Sequence, residues 1–310
     1  MKKYHIVVDF SYLYYKYFFK LMNAEQGRGY MRRLSTVIDG AEVDTTYQYY
    51  IGKEIESFRN RILEADPSGE VTLSICFDSK SERKDEDTNY KAERVSRLNE
   101  DDFDNHAKLK QFFEEIGYNT YKEEGKEADD LVHSLVNRYK DEFDTTVIYT
   151  PDKDLMVNID DKVYVMRSST FKSEHDVVTM SNYEKYLTDK MKCRVPYNSI
   201  LLYLSMVGDK VDGINGIKGF GPKAFDKFVE YLSSREYDFT KLNKAEEVER
   251  VLKEYVGVYS GKNTNALEQA MNSLKMAEYR DVEVVKPVKN DSDESRNRVF
   301  TKYGMNSLVK

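Results

Sequence analysis

Three short apolar segments that each lead to an aspartate constrain the fold of this chain most. The three segments comprise residues 6–8, 71–77 and 145–149. Each is rich in Val, Ile or other β-forming residues and is bounded by polar residues, which is typical of a buried strand. Stretches with helical periodicity lie between them, at residues 49–63, 109–116 and 128–139. This alternation predicts an α/β fold in which a mainly parallel central sheet is flanked by helices.

The aspartates stand at equivalent ends of these strands. Asp9 and Asp78 follow the first two strands directly, and Asp152 follows the third after two residues. A further predicted strand, residues 162–166, extends the sheet. The ordinary explanation for one such aspartate is a polar residue that closes a strand. Because open parallel sheets bind ligands beyond the carboxyl ends of their strands, three aspartates at one edge predict an active site.

Six further acidic residues lie where they can join this edge. Three of them fall in the first turn of the helix predicted from residue 128, where the helix dipole favours acids. One lies two residues after Asp152, and the last two are spaced i and i+3 in a later loop. The complete set is Asp9, Asp78, Glu127, Asp129, Asp130, Asp152, Asp154, Asp209 and Asp212.

Converging carboxylates raise one another's pKa values unless cations neutralise them. Oxygen ligands without His or Cys favour Mg²⁺ or Mn²⁺ over zinc. Two such ions about 4 Å apart suit phosphodiester hydrolysis, because one activates water and both act on the scissile phosphate. The sequence therefore predicts two or more Mg²⁺ ions, with Mn²⁺ as a substitute, and we expect Asp152 to be catalytic as well as a metal ligand.

A glycine-rich segment at residues 213–224 lies between two helical stretches, residues 199–207 and 224–232. This order favours a helix–hairpin–helix over a Rossmann strand–turn–helix. Exposed backbone N–H groups at a helix start, beside two lysines, suit a nucleic-acid phosphate. A plain glycine-rich turn is the alternative. The residues expected to contact DNA here are Gly216, Lys218, Gly219, Gly221 and Lys223.

Two polar regions interrupt the predicted elements. Residues 79–107 are mostly charged, and their composition alone indicates a solvated insertion. The chain is again charged from residue 288, so residues 288–310 are interpreted as a linker or tail. The remaining boundaries divide the chain into an α/β core at residues 1–190 and a helical region at residues 191–287.

Composition narrows the class of protein. The 310 residues carry a formal charge of −7, which argues against nucleic acid as a partner unless acidic and basic residues are segregated. Cys76 and Cys193 are the two cysteines, so a disulfide or zinc framework is not expected. We find neither a membrane-length apolar run nor a signal-peptide pattern, and we expect a soluble cytoplasmic protein, in a host cytoplasm if a phage encodes it.

Several motifs together resemble the flap endonuclease / 5′–3′ exonuclease superfamily, particularly its compact bacteriophage members and the nuclease domains of bacterial DNA polymerases. The resemblance covers residues 4 to about 285. The matching strings are Val7-Val8-Asp9, Phe77-Asp78, Tyr90-Lys91 with Arg94, Glu127-Ala128-Asp129-Asp130, Asp152-Lys153-Asp154-Leu155 and residues 207–223. Gly213 departs from the pattern, because the family frequently has Asn after the aspartate equivalent to Asp212.

The resemblance implies a SAF/PIN-like core, a helical arch at residues 79–107 and a helix-3-turn-helix element. It implies that the nine acids bind metal, that Lys91 and Arg94 are catalytic cations, and that the glycine hairpin binds duplex DNA and a K⁺ ion. It further implies that Arg83, Tyr90, Lys91 and Arg94 contact DNA. The implied substrates are 5′-flap, nicked or 5′-ended DNA and RNA–DNA hybrids such as RNA primers, with a polymerase or single-strand-binding protein as partner.

Two other functions remain open at this point. A PIN-like ribonuclease shares acidic clusters at strand ends but does not need the hairpin at residues 213–223. A non-catalytic replication accessory protein that binds branched DNA is expected to have lost metal ligands. We interpret His133 as a neutral residue on a helix face rather than a general base, and the aromatic residues between Tyr12 and Phe19 mainly as helix packing. One exposed Tyr among them could stack on an unpaired base.

Overall fold

The computed structural model describes residues 1–92, 100–168, 175–259 and 263–310. The strands are β1 (Lys3–Asp9), β2 (Ser35–Ile38), β3 (Ala41–Asp44), β4 (Glu70–Cys76), β5 (Asn119–Tyr121), β6 (Thr145–Tyr149), β7 (Val163–Ser168) and β8 (His175–Val178). The helices are α1 (Phe10–Glu25), α2 (Thr46–Ala65), α3 (Arg83–Glu86), α4 (Glu100–Ile116), α5 (Ala128–Tyr139), α6 (Tyr183–Met191), α7 (Ile200–Met206), α8 (Pro222–Ser234), α9 (Ala245–Tyr259), α10 (Ala266–Ala277) and α11 (Asp293–Lys302).

A six-stranded sheet with the order β5-β4-β1-β6-β7-β8 organises the described residues. All neighbours pair in parallel except β8, which runs antiparallel to β7 at one edge. A separate hairpin is formed by β2 and β3. The four strands predicted from sequence are present as β1, β4, β6 and β7, so the prediction of a mainly parallel α/β fold is confirmed.

The sheet is buried on both faces, as parallel sheets covered by helices usually are. On β1, Val7 packs into one apolar cluster, while Ile6 and Val8 pack into another on the opposite face. The second cluster includes apolar residues of α1, α2 and α4. Cys76 and Cys193 are buried and unpaired, as expected.

The cluster that contains Val7 continues into the helical region. It joins Val7 and Ile148 of the sheet to Leu202 on α7 and Phe225 on α8. The two helices predicted around the glycine-rich segment are therefore present, and Pro222 occupies the first turn of α8. The division at residue 190 stays a prediction, but the apolar core continues across it.

The interpretation of residues 288–310 as a charged linker or tail is wrong. These residues include α11, and Val299, Phe300 and Met305 on or after it are buried in the cluster beneath α2 and α4. The buried side chain of Arg296 pairs with the buried carboxylate of Asp291. The charged composition did not indicate this helix, because Arg296 on the helix and Asp291 before it neutralise each other inside the protein.

The solvated-insertion interpretation of residues 79–107 is incomplete, because most described residues of 79–92 are exposed but three are buried. Ser81, Arg83 and Tyr90 are each at most 5% exposed. Residues 93–99, at the centre of the predicted arch, lie outside the described residues. Among the described helices, none is both long and apolar enough to cross a membrane.

Candidate active site

A cleft of about 740 Å³ opens beyond the carboxyl ends of β1, β4 and β6. Most of the predicted acidic residues line it, together with several cations. The polar and aromatic lining residues that matter below are Asp9, Ser11, Tyr12, Tyr15, Asp78, Lys91, Glu127, Asp129, Asp152, Lys153, Lys190, Asp209 and Asp212. The predicted position of the acids at the carboxyl edge is therefore confirmed for these residues.

Asp9 is fixed where β1 becomes α1. It is the N-cap of α1, and its carboxylate accepts hydrogen bonds from the backbone N–H of Tyr12 at 3.4 Å and from Thr150 Oγ1 at 2.9 Å. Thr150 Oγ1 also accepts a hydrogen bond of 3.1 Å from the backbone N–H of Asp152. One hydroxyl thus aligns the aspartates that follow β1 and β6.

Asp78 is fixed against the start of α5. Its Oδ1 accepts the backbone N–H of Ala128 at 2.7 Å, and its Oδ2 accepts the hydroxyl of Ser11. Because the N–H groups at a helix start lack intrahelical partners, this contact also satisfies one of them. The next residue of the helix, Asp129, faces the same cleft.

The first acidic group, Asp9, Asp78, Asp129 and Asp152, is strongly self-repelling. Burial, followed by the charges of Asp78 and Asp152, raises the pKa of Asp9 to about 7. Burial and the charges of Asp152 and Asp9 raise the pKa of Asp129 well above its usual range. Such a group is stable in its ionised form only when cations offset the repulsion.

The second acidic group consists of Asp154, Asp209 and Asp212, whose carboxylate oxygens lie within 4.8 Å of one another. Burial and the charge of Asp152 raise the pKa of Asp154 to about 7. Asp154 Oδ1 is buried. Lys153 Nζ lies 3.1 Å from this oxygen and also pairs with Asp209, so one lysine offsets part of the negative charge.

The loop that carries Asp209 and Asp212 is closed by its own backbone. Asp209 and Ile214 exchange two backbone hydrogen bonds of 2.8 Å, which fold the residues between them into a tight turn. The N–H of Val211 donates to Asp209 Oδ1 at 2.8 Å. These contacts hold both aspartates beside Asp154.

The donor set of both groups fits divalent cations. The side chains of both groups supply carboxylate oxygens, which favour hard cations, and in the second group the oxygens lie close enough together to share one ion. Seven of the nine predicted ligands belong to these groups, namely Asp9, Asp78, Asp129, Asp152, Asp154, Asp209 and Asp212.

Glu127 is surrounded by donors from the protein. Lys91 Nζ donates to its Oε1 at 2.6 Å, while Arg83 Nη1 and the Tyr90 hydroxyl donate to its Oε2 at 2.9 and 2.8 Å. Its role as a metal ligand stays a prediction, whereas its contacts hold the ammonium of Lys91 in the cleft. The hydrogen bonds and opposite charges outweigh burial and lower the pKa of Glu127.

Metal binding by Asp130 stays a prediction, although this residue is held away from the cleft. Asp130 is 1% exposed and lies outside the cleft lining. Its carboxylate accepts hydrogen bonds from both terminal nitrogens of Arg83 and from the backbone N–H of Arg280. In this structure Asp129 lines the cleft, whereas the carboxylate of Asp130 is turned toward Arg83.

The predicted DNA contacts of Arg83 and Tyr90 also stay predictions, and both side chains are buried against Glu127. Gly216 is buried as well, and its N–H donates to Ser273 Oγ at 3.0 Å. Lys218, Gly219 and Lys223 are exposed and Gly221 is half-buried, so their DNA contacts stay predictions. Arg94 lies outside the described residues.

His133 behaves as expected for a neutral residue on a helix face. Its ring nitrogens contact Asn158 at 2.7 Å and Asn137 at 2.8 Å, and burial lowers its pKa. On α1, Tyr14 and Tyr17 pack in the core, while Tyr12 and Tyr15 line the cleft.

Sequence reasoning missed the cleft residues Lys153 and Lys190, and also the buried Thr150 that bonds to Asp9. Thr150 and Lys153 adjoin predicted aspartates, so their positions in the sequence were a signal. Lys190 comes from α6, and its position depends on how that helix packs. Burial and the charges of Arg167 and Lys153 lower the pKa of Lys190 to about 8.

The mainly parallel sheet and most of the carboxylates at its edge lie in a part of the chain that matches a known protein family. Residues 4–189 match the family described as the N-terminal, resolvase-like domain of 5′–3′ exonucleases. The chain belongs to this family.

Individual relatives agree with this assignment. DNA polymerase I of Caldicellulosiruptor bescii is 38% identical over 123 residues, which cover 39% of this chain and 14% of that protein. The 5′–3′ exonuclease of Mycoplasmopsis pulmonis is 26% identical over 187 residues, 59% of each chain. The chain therefore spans less than two thirds of the length of these relatives. The 5′–3′ exonuclease of Bacillus subtilis is 25% identical over 230 residues, which cover 72% of this chain and 69% of the relative.

The fold is shared with solved structures. A bacteriophage T5 flap endonuclease, in a complex with DNA and metal ions, superposes with a TM-score of 0.58 at 13% identity, covering 98% of this chain and 95% of that chain. The same phage protein co-crystallised with metal ions gives a TM-score of 0.54 with the same coverage. At this identity the likeness concerns the fold.

Proposed function

We propose that this chain is a divalent-metal-dependent 5′ nuclease that hydrolyses phosphodiester bonds at 5′ flaps, nicks and 5′ ends of DNA. The observation that carries the proposal is one cleft in which the first acidic group, Asp209 and Asp212 lie with the ammonium of Lys91. Membership of the 5′–3′ exonuclease family supports it. The named activity of the relatives and the DNA in the T5 complex point the same way.

Each of the two acidic groups is proposed to bind a cation. Asp9, Asp78, Asp129 and Asp152 form one potential ligand set. Asp154, Asp209 and Asp212 form the other. Mg²⁺ is the proposed ion, with Mn²⁺ as a substitute, and when bound it supplies an activated water and positive charge at the scissile phosphate.

Lys91 is the proposed cation for the scissile phosphate. Burial alone would lower the pKa of Lys91. The negative charge of Glu127 raises this pKa instead, so the ammonium stays protonated. A preorganised cation stabilises charge that develops on the phosphate oxygens. Glu127 holds this ammonium in the cleft until a phosphate approaches, and Arg94 is proposed as a second cation.

Tyr12 and Tyr15 line the same cleft and offer aromatic faces to an unpaired base. This places the nucleotide next to the scissile bond against α1. The contact is independent of base identity, as expected for a nuclease that recognises structure rather than sequence.

The start of α8 is the proposed duplex contact. Lys218 and Lys223 are exposed on either side of Gly219 and Gly221, where a side chain built on either glycine would meet open space. Backbone approach to phosphates is therefore unobstructed. A K⁺ ion at this hairpin, RNA primers as substrates, and a polymerase or single-strand-binding partner are further parts of the proposal that rest on the family resemblance.

Cleavage of labelled substrates tests the proposal. The wild-type chain should cut 5′-flap and nicked DNA with Mg²⁺, and Asp152→Asn should lower the rate at least about 100-fold while retaining duplex binding. Asp281→Asn, at an exposed acid outside the cleft, is the control. Binding without cleavage of any substrate would support an accessory protein, and cleavage confined to the RNA strand of a hybrid would support a ribonuclease.

Metal-induced stabilisation separates the roles of the acids. Asp212→Asn should reduce the rise in melting temperature that Mn²⁺ causes, because ligands that bind only the folded state stabilise it. Glu127→Gln should reduce this rise much less, since Glu127 is engaged by Arg83, Tyr90 and Lys91. An equal loss in both variants would make Glu127 a metal ligand.

A further inference from the structure

The turn before Lys91 passes in backbone contact with the loop that carries Asp212. The N–H of Lys91 donates to the carbonyl oxygen of Asp212 at 2.9 Å. Lys91 itself adopts a left-handed backbone with φ of 50°, which is uncommon for a residue with a side chain. Such a conformation persists when surrounding contacts hold it.

Gly213 permits this contact. A Cβ at this position would lie 2.3 Å from the carbonyl oxygen of Asn89, 3.1 Å from its carbonyl carbon and 3.2 Å from the backbone nitrogen of Lys91. The obstructing atoms belong to the backbone, so a side-chain rotation cannot relieve the overlap. Any residue other than glycine would push the turn and the loop apart.

Both sides of the contact lead directly to the cleft. On one side, the Lys91 ammonium lies on Glu127. On the other, Asp212 belongs to the second acidic group. The hydrogen bond between their backbones therefore sets the distance between a cation and a carboxylate group that come from segments more than 100 residues apart in the sequence.

We propose that Gly213 is a positioning residue, whose missing side chain lets the loop of Asp209 and Asp212 hold the backbone of Lys91. The inference rests on the proposed nuclease function and adds a determinant of its rate. Gly213 acts through Lys91, so its effect appears in turnover. Displacing Lys91 by about 1 Å should cost on the order of 100-fold in the catalytic rate.

Gly213→Asn tests the contact with less backbone strain than most other substitutions would add. Gly213 has a φ of 70°, and asparagine tolerates positive φ better than most residues, so the added side chain is the main change. The expected result is a kcat about 100-fold lower on a 5′-flap substrate, with KM and flap binding within about threefold of wild type. Gly40→Asn is the matched control, because Gly40 has a φ of 82° with open space around its Cβ position.

A double-mutant cycle separates positioning from general disruption. In a Lys91→Ala background, Gly213→Asn should lower kcat little further, because the group it misplaces is already gone. An equal fold-loss in both backgrounds would overturn the inference. So would wild-type kcat in Gly213→Asn.

Folding is checked by thermal melting of Gly213→Asn and of Gly213→Ala, which adds a smaller side chain. If both variants unfold below the assay temperature, the contact serves the fold and the inference is overturned. A wild-type protein that cuts none of the substrates overturns the proposed function and this inference together. An active wild type with an unaffected Gly213→Asn overturns the inference alone.

Discussion

The guanidinium of Arg83 donates hydrogen bonds to both carboxylate oxygens of Asp130, with nitrogen–oxygen distances of 2.6 and 2.8 Å. The two side chains are 4% and 1% exposed. The same guanidinium reaches Glu127, which holds Lys91. A buried ion pair outside the cleft thus anchors the contacts that orient a cation within it.

Removing Arg83 should destabilise the protein strongly. Arg83→Ala leaves the buried carboxylate of Asp130 without its partner, and breaking such a pair costs about 3–5 kcal/mol of unfolding free energy. Arg83→Lys should also destabilise, because an ammonium cannot replace the two-pronged contact. Urea denaturation measures both changes. Arg138→Ala, which breaks the exposed pair with Asp281, is the control and should change stability little. Equal urea midpoints for the Arg83 and Arg138 variants would contradict a stabilising role for the buried pair of Arg83 and Asp130.

The acidic groups should make the metal-free protein less stable as pH rises. Asp154 has a folded-state pKa of about 7 against an ordinary value of 3.8, so between these values the folded state holds a proton that the unfolded state has released. The unfolding free energy contributed by this group therefore falls from about pH 4 to pH 7 and stays low above it.

Comparison with Asp154→Asn isolates this effect. In EDTA, the melting temperature of the variant minus that of wild type should increase from pH 5 to pH 8. The comparison is needed because His5, whose pKa burial lowers to about 3, contributes the opposite slope in both proteins. Adding Mn²⁺ at pH 8 should raise the melting temperature of wild type more than that of the variant. A pH-independent difference between the proteins would argue against repulsion at Asp154.

The exposed lysines near the start of α8 should contribute to DNA affinity through phosphates. Lys218→Ala and Lys223→Ala should each weaken duplex binding for all sequences and reduce the slope of log affinity against log salt by about 0.9. Fluorescence anisotropy over a salt series measures the slope. Lys302→Ala, on α11, is the control, and an unchanged slope in both hairpin variants would remove these lysines from the interface.

The C-terminal helix should be required for folding. Phe300→Ala removes a side chain that is 1% exposed and should cost about 3–5 kcal/mol of unfolding free energy. Arg298→Ala, at an exposed position on the same helix, should change stability by less than about 0.5 kcal/mol. Guanidinium denaturation of both variants provides the comparison. An unchanged unfolding free energy in Phe300→Ala would support the interpretation of residues 288–310 as a tail.

The sequence was informative where local pattern determines structure. Short β-branched segments predicted β1, β4 and β6, and strand direction then placed Asp9, Asp78 and Asp152 at one edge. The different surroundings of Asp129 and Asp130 did not follow from the sequence, because they depend on the pairing of Asp130 with Arg83.

The remaining features depend on partners far away in the chain. Arg83 and Tyr90 look like surface residues until Glu127 is placed beside them. Lys190 enters the cleft through the packing of α6, and Arg296 is buried because Asp291 neutralises it. Such burial of charge follows from three-dimensional pairing, which composition and periodicity do not encode.

The apolar cluster that joins Val7 to Phe225 has a consequence for building chimaeras from this chain. A crossover at residue 190 would combine two halves of one core that were shaped around different side chains. Overpacking and cavities at the seam would each cost stability. Substrate preference is therefore better exchanged by grafting exposed residues around Gly219 onto the intact scaffold than by swapping the helical region as a module.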